Sequence, residues 1–147
     1  MGAGGAGFPA YAKMTEKADT VILNCVECEP LLKLHRQLLA THTEEIIQML
    51  DEVRESFGAK EAVIGIKSEY VTTIKAIEEV IGDFPNVRIC ALKAAYPMGD
   101  EVVLIYEATG RVIKPGGLPI DENVVVYNVE TMYNLYRAVH LNIPVTN

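Results

Sequence analysis

Apolar residues along this chain come in two rhythms. Short unbroken runs rich in β-branched side chains alternate with longer stretches in which apolar residues recur every three or four positions, and glycine, proline or asparagine separates them. Thr20 to Leu23 is the first short run and stops at Asn24, which predicts a buried strand. Thr41, three residues before Glu44, reads as a capping box for a helix with Ile46, Leu50, Val53 and Phe57 on its inner face and Gly58 at its end. Glu61 to Ile66 predicts a second strand, and Ser68 reads as the cap of a helix that buries Val71, Ile74, Ile77 and Ile81 before Gly82. Val87 to Leu92 predicts a third strand. It leads through Tyr96-Pro97-Met98-Gly99-Asp100-Glu101 into a helix that starts near Gly99 and continues through Tyr106. After the breaker cluster Lys114 to Pro119, Asn123 to Tyr127 predicts a fourth strand, and Asn128 caps a helix to about His140.

Strands and helices alternating at these intervals suit right-handed crossovers. The expected architecture is therefore one α/β domain over residues 1–147, a three-layer, Rossmann-like parallel sheet with helices on both faces. Ligands of such sheets bind beyond the carboxyl ends of the strands. That rule selects Asn24 to Pro30, Tyr96 to Glu101, Tyr127 to Thr131, and the glycine-rich opening if it folds back over those ends.

Half of the residues are hydrophobic and 22% are charged, enough apolar surface for a core and too much for a disordered chain. The net charge is −7 without a lysine or arginine cluster, which excludes the electrostatic footprint of a nucleic-acid partner. The longest apolar runs are too short to cross a bilayer, so direct membrane insertion is not expected. Three cysteines, an odd number, point to a reducing, cytoplasmic setting. Cys25 and Cys28 make a C-x-x-C, readable as a dithiol, as half of a metal site, or as two incidental thiols. Cys90 is the remaining thiol, and the three histidines show no ligand spacing, so no metal site is assigned.

Gly2, Gly4 and Gly7 satisfy G-x-G-x-x-G, but no strand precedes them and Pro9 follows almost at once, against an ordinary dinucleotide turn. Lys13 downstream favours a loop that cradles a phosphate. A glycine loop in this position predicts a piece of a longer protein. Glu27 and Glu29 flank Cys28, so an extended backbone projects both carboxylates to one side, where sugar or ribityl hydroxyls would bond them; the competing reading is an exposed acidic turn. Tyr96, Gly99, Asp100 and Glu101, like Asn128 and Thr131, read either as helix-start chemistry or as a ligand rim.

Gly4-Gly5-Ala6-Gly7-Phe8-Pro9 with Lys13, Asn24 with Glu27-Cys28-Glu29-Pro30, Tyr96 to Glu101, Pro115 to Pro119, and Asn128-Val129-Glu130-Thr131 follow one another in a recognisable order and spacing. Together they resemble the FMN- and NADH-binding flavoprotein domain of RnfC-like and PrdC-like electron transport proteins, shared with the flavoprotein subunit of respiratory complex I. The resemblance covers nearly the whole chain. It implies that Gly2, Gly4, Gly5 and Lys13 lie along the flavin phosphate and ribityl chain, and that Asn24, Glu27, Tyr96, Gly99, Asn128 and Thr131 complete the FMN pocket. Phe8, Glu29 and Glu101 would face NADH.

The same resemblance implies hydride transfer from NADH to FMN with no catalytic residue of the protein's own, since the flavin carries the chemistry. Onward transfer would go to 4Fe-4S clusters in the parent protein but not in this chain, which is expected to be a fragment without the family's N-terminal segment and downstream ubiquitin-like and 4Fe-4S domains. The implied partners are other subunits of an electron-transfer complex or reductase, in the cytoplasm or peripheral on the inner face of the membrane. Ala3 and Val26 stand where the complex I flavoprotein has an arginine and an acidic residue. Those two departures motivate an alternative, a cofactor-less docking or scaffold module linking an electron donor to a reductase such as proline reductase.

Overall fold

The computed structural model describes residues 18–26, 31–93 and 101–142. Among them are four parallel strands, β1 (Thr20–Cys25), β2 (Glu61–Lys67), β3 (Val87–Leu92) and β4 (Val124–Asn128), in the spatial order β3-β2-β1-β4. The helices are α1 (Leu31–Thr41), α2 (Thr43–Phe57), α3 (Val71–Ile81), α4 (Glu101–Thr109) and α5 (Val129–His140), with a 3-10 turn at Pro119–Glu122. The expected α/β class and parallel sheet are both observed.

The central strand β1 is buried along its whole length and β2 nearly so, whereas β3, at the edge, is buried only at its two ends, Val87 and Leu92. A strand covered on both faces must be apolar at successive positions, which is why β1 and β2 read as unbroken runs. Alternation then sorts the core into two layers. Val21, Leu23, Cys25, Ala62, Ile64 and Ile66 pack with α1, α2, α3 and α5, while Ile22, Val26, Val63, Leu92 and Val124 pack with Leu104, Ile105 and Ala108 of α4. The chain steps from β1 to β2 to β3 in one direction and then reverses to place β4 on the other side of β1. With right-handed crossovers, that reversal moves the connecting helix α4 to the opposite face.

Several local expectations are corrected. Residues 31–41 form α1, so Thr41 is its last residue and not the cap of α2. The break falls at His42, whose carbonyl accepts from Ile46 N–H at 3.0 Å, and the buried Thr43 hydroxyl donates back to Leu39 O at 2.7 Å. A cap needs non-helical backbone, which a residue inside α1 cannot adopt. Ser68 does not cap α3, because its N–H continues the sheet by donating to Leu92 O at 2.8 Å; the position before α3 is Tyr70. The inward stripe of α3 rotates accordingly, burying Thr73 and Ile77 and leaving Val71 53% exposed. β1 runs through Asn24 to Cys25. Gly58 ends α2 as expected, at φ 70°, a left-handed conformation that favours glycine.

Candidate functional site

The point at which strand order reverses lies between β1 and β4, and the sequence places a carboxamide at the carboxyl end of each strand there. Asn24 and Asn128 are direct cross-strand partners. By alternation with Ile22, Val26 and Val124, both occupy the α4 face of the sheet. Both amides are held alike. Asn24 is 6% exposed and its Oδ1 accepts from Val26 N–H at 2.9 Å. Asn128 is the cap of α5, and its Oδ1 accepts from Thr131 N–H at 2.7 Å. Each oxygen is fixed by the main chain just downstream, so the NH2 is what each amide offers a ligand oxygen.

Two helix N-termini reach this rim, α5 from Asn128 itself and α4 from Glu101, and each brings the positive end of a helix dipole. The approach of α4 depends on Gly65, the partner of Asn24 on the other side of β1. A Cβ at Gly65 would overlap the Leu104 side chain, so glycine here lets Leu104 of α4 lie directly against the strand. Gly65 escaped the sequence reading, although an isolated glycine inside an apolar strand is a signal of close approach.

At the other end of α4, Arg88 Nη2 donates to Ala108 O at 2.6 Å while its Nε donates to Glu61 at 2.8 Å across β2 and β3. The Arg88 hydrogen bond, the largest influence on Glu61, holds its carboxyl below the ordinary carboxylate range despite an opposing effect of burial. Two groups near the rim stay protonated: burial pushes up the Cys90 thiol, with a smaller opposing pull from Arg88, and burial raises the Tyr127 phenol. A protonated thiol is a poor nucleophile.

Of the residues nominated from sequence, the structure brings Asn24, Asn128 and Thr131 together and sets Glu101 at the start of α4. Gly2, Gly4, Gly5, Phe8, Lys13, Glu27, Glu29, Tyr96 and Gly99 lie outside the described residues, as do Cys28 and the carboxylate of Glu101. Cys25 is buried within β1. Among the described residues, no group of three or more His, Cys, Asp or Glu is placed to hold a metal ion. No helix among them is long and apolar enough to cross a membrane.

The family model of the Nuo51 FMN-binding domain matches residues 1–137. Cobalamin reductase PduS of Citrobacter freundii is 41% identical over 146 residues, covering 99% of this chain and 32% of that protein. An RnfC-type component of the Na(+)-translocating ferredoxin:NAD(+) oxidoreductase complex of Acetobacterium woodii is 33% identical over 148 residues, covering 98% of this chain and 33% of that protein. The chain thus spans about a third of the length of these relatives. Among solved structures, NAD+-reducing NiFe-hydrogenase in the air-oxidized state superposes with a TM-score of 0.67 at 27% identity, over 92% of this chain and 27% of that one.

Proposed function

The chain belongs to the Nuo51 FMN-binding domain family, and from that premise we propose that it is the flavin-holding module of an electron-transfer protein, taking hydride from NADH onto FMN. The observation that carries the proposal is the Asn24–Asn128 pair at the reversal of strand order, where parallel α/β sheets bind nucleotides. The donor set fits a flavin nucleotide: two fixed amide NH2 groups and two helix N-termini present hydrogen-bond donors and partial positive charge to phosphate and carbonyl oxygens. FMN, when bound, supplies the exchange between two-electron and one-electron transfer.

The protein's own part is positional. Asn24 and Asn128 would orient the nucleotide, and the start of α5, with Thr131 N–H already directed at the cap, would face its phosphate. Gly65 sets the depth of α4 and with it the place of Glu101, which we assign with Phe8 and Glu29 to the nicotinamide nucleotide. Lys13, Gly2, Gly4, Gly5, Glu27, Tyr96 and Gly99 are assigned to the remainder of the flavin pocket. Holding the nicotinamide against the flavin turns a bimolecular encounter into a positioned one, an effect worth several kcal/mol of barrier.

Iron–sulfur clusters outside this chain would accept the electrons one at a time, and other subunits of an oxidoreductase complex, at the inner face of a membrane, are the proposed partners. That role draws on relatives that include a component of such a complex. Titration of the protein with FMN, followed by flavin fluorescence, tests the reading. Saturable quenching followed by bleaching of the bound flavin on anaerobic addition of NADH is expected. Saturable FMN binding with no reduction by NADH would remove NADH as donor, and no FMN binding would remove the flavin assignment.

A further inference from the structure

On a chain whose net charge is −7, the described residues gathered at the carboxyl rim beyond β2 and β3 set three cations, Arg36, Lys67 and Lys93, against the one carboxylate of Glu69. Lys67 ends β2, Lys93 follows β3, and the Ser68 N–H to Leu92 O bond holds the two strand ends together. Arg36 reaches over from α1 to lay its guanidinium on Tyr70, 4.0 Å from the ring centroid, while Lys67 Nζ stands 5.4 Å from the same centroid. Two cations gathered at one ring repel each other, and no carboxylate among the described residues pairs with either. Stacking engages the face of the guanidinium, whereas its N–H donors lie in the plane, where acceptors bind. Arg36 Nε is buried and makes no hydrogen bond. An unsatisfied donor costs stability, and a bound anion would lower the repulsion between the two cations.

We propose that Arg36 and Lys67, with Lys93 at the margin, form a phosphate site, and that its occupant is a phosphate of the nicotinamide dinucleotide that reduces the flavin. The occupant, though not the site, rests on the function proposed above. Lys67 lies two residues beyond Gly65, whose neighbour across the sheet is Asn24, and adjacent strands are about 4.8 Å apart. The cluster is therefore within a nucleotide's length of the Asn24–Asn128 pair and on the same rim. Arg36 would supply planar paired donors and Lys67 a point charge, the usual division of labour around a phosphate. Tyr70 keeps both cations in place.

The test uses inorganic pyrophosphate titrated calorimetrically into the protein without FMN, alongside Lys67→Gln and Arg36→Gln. Binding that weakens about tenfold in each variant, and falls with added salt, is expected. With FMN present, both variants should raise the apparent Kd for NADH by a similar factor and leave the Kd for FMN within twofold. A loss equal for NADH and NADPH assigns the diphosphate; a larger loss for NADPH assigns the 2′-phosphate. Pyrophosphate that fails to bind, or binds all three proteins equally, overturns the site and leaves a packing contact between α1 and α3. Lys67-dependent pyrophosphate binding by a protein that takes no FMN would retain the phosphate site and remove the flavin reading alone.

Discussion

The two faces of the sheet are built differently. Among the described residues, one carries four helices and a continuous core from Leu39 and Ile46 through Ile64 to Met132, and the other carries α4 and a smaller cluster around Ile22, Val63 and Leu104. Asn24, Gly65 and Asn128, near the carboxyl ends of β1, β2 and β4, all fall on that thinner face. A strand side chain on the thick face, such as Leu23 or Ile64, is fully buried under helices, so it contributes stability and no group for a ligand to meet. On the thin face the sheet gives up apolar burial at its carboxyl edge, and amide donors and a helix N-terminus converge there instead. The candidate site lies at the carboxyl edge of the face whose described core is the smaller of the two.

Substitutions in neighbouring positions of β2 probe that division. The largest expected effect is Ile64→Ala on the thick face, a loss of about 2–5 kcal/mol in urea unfolding, with FMN affinity of the folded protein unchanged. Weakened FMN binding at temperatures where the variant is fully folded would show that the faces are coupled. Gly65→Ala, one residue along, should lower stability by about 1–3 kcal/mol by displacing Leu104 and α4, and should weaken FMN binding as well. A variant that loses stability while binding FMN normally would detach α4 from the site.

Asn128→Ala removes the α5 cap, at a cost of about 0.5–2 kcal/mol, and one amide donor. FMN binding about tenfold weaker is expected, with Asn128→Asp recovering the cap but not the affinity. If both variants bind FMN like the parent, Asn128 is only a cap. The smallest effect belongs to the Glu61–Arg88 clamp behind α4. The Glu61 carboxyl titrates below its unfolded value, so its stabilisation is present at neutral pH and disappears as pH falls through the depressed range. Because the pair is largely exposed, Glu61→Gln should cost under about 1 kcal/mol at pH 7 and nothing in strong acid. A difference that persists in acid would contradict the ion pair as its source.

Much of this architecture is legible in single runs of residues. The strands at Thr20, Glu61, Val87 and Asn123 stand out because buried parallel strands must be apolar at consecutive positions, and Asn128 stands out because a cap follows local rules. The misread features are those whose outcome depends on distant partners. Ser68 has the chemistry of a cap, but Leu92, at the end of β3, claims its N–H. Thr41 has the spacing of a capping box, but a helix already occupies the residues before it. Val71 has helical phase with Ile74, yet the first turn of α3 projects beyond the core.

The amino-acid order by itself determined the alternation of elements, the parallel sheet and the family, since these rest on local periodicity and on motifs that keep their order along the chain. Only the tertiary structure decided which strand ends meet: that Asn24 faces Asn128 from the far end of the chain, that Gly65 lies under Leu104, and that Arg36 and Lys67 share Tyr70. Strand order depends on the direction of each crossover and on which face each helix covers, and these follow from packing the whole chain at once.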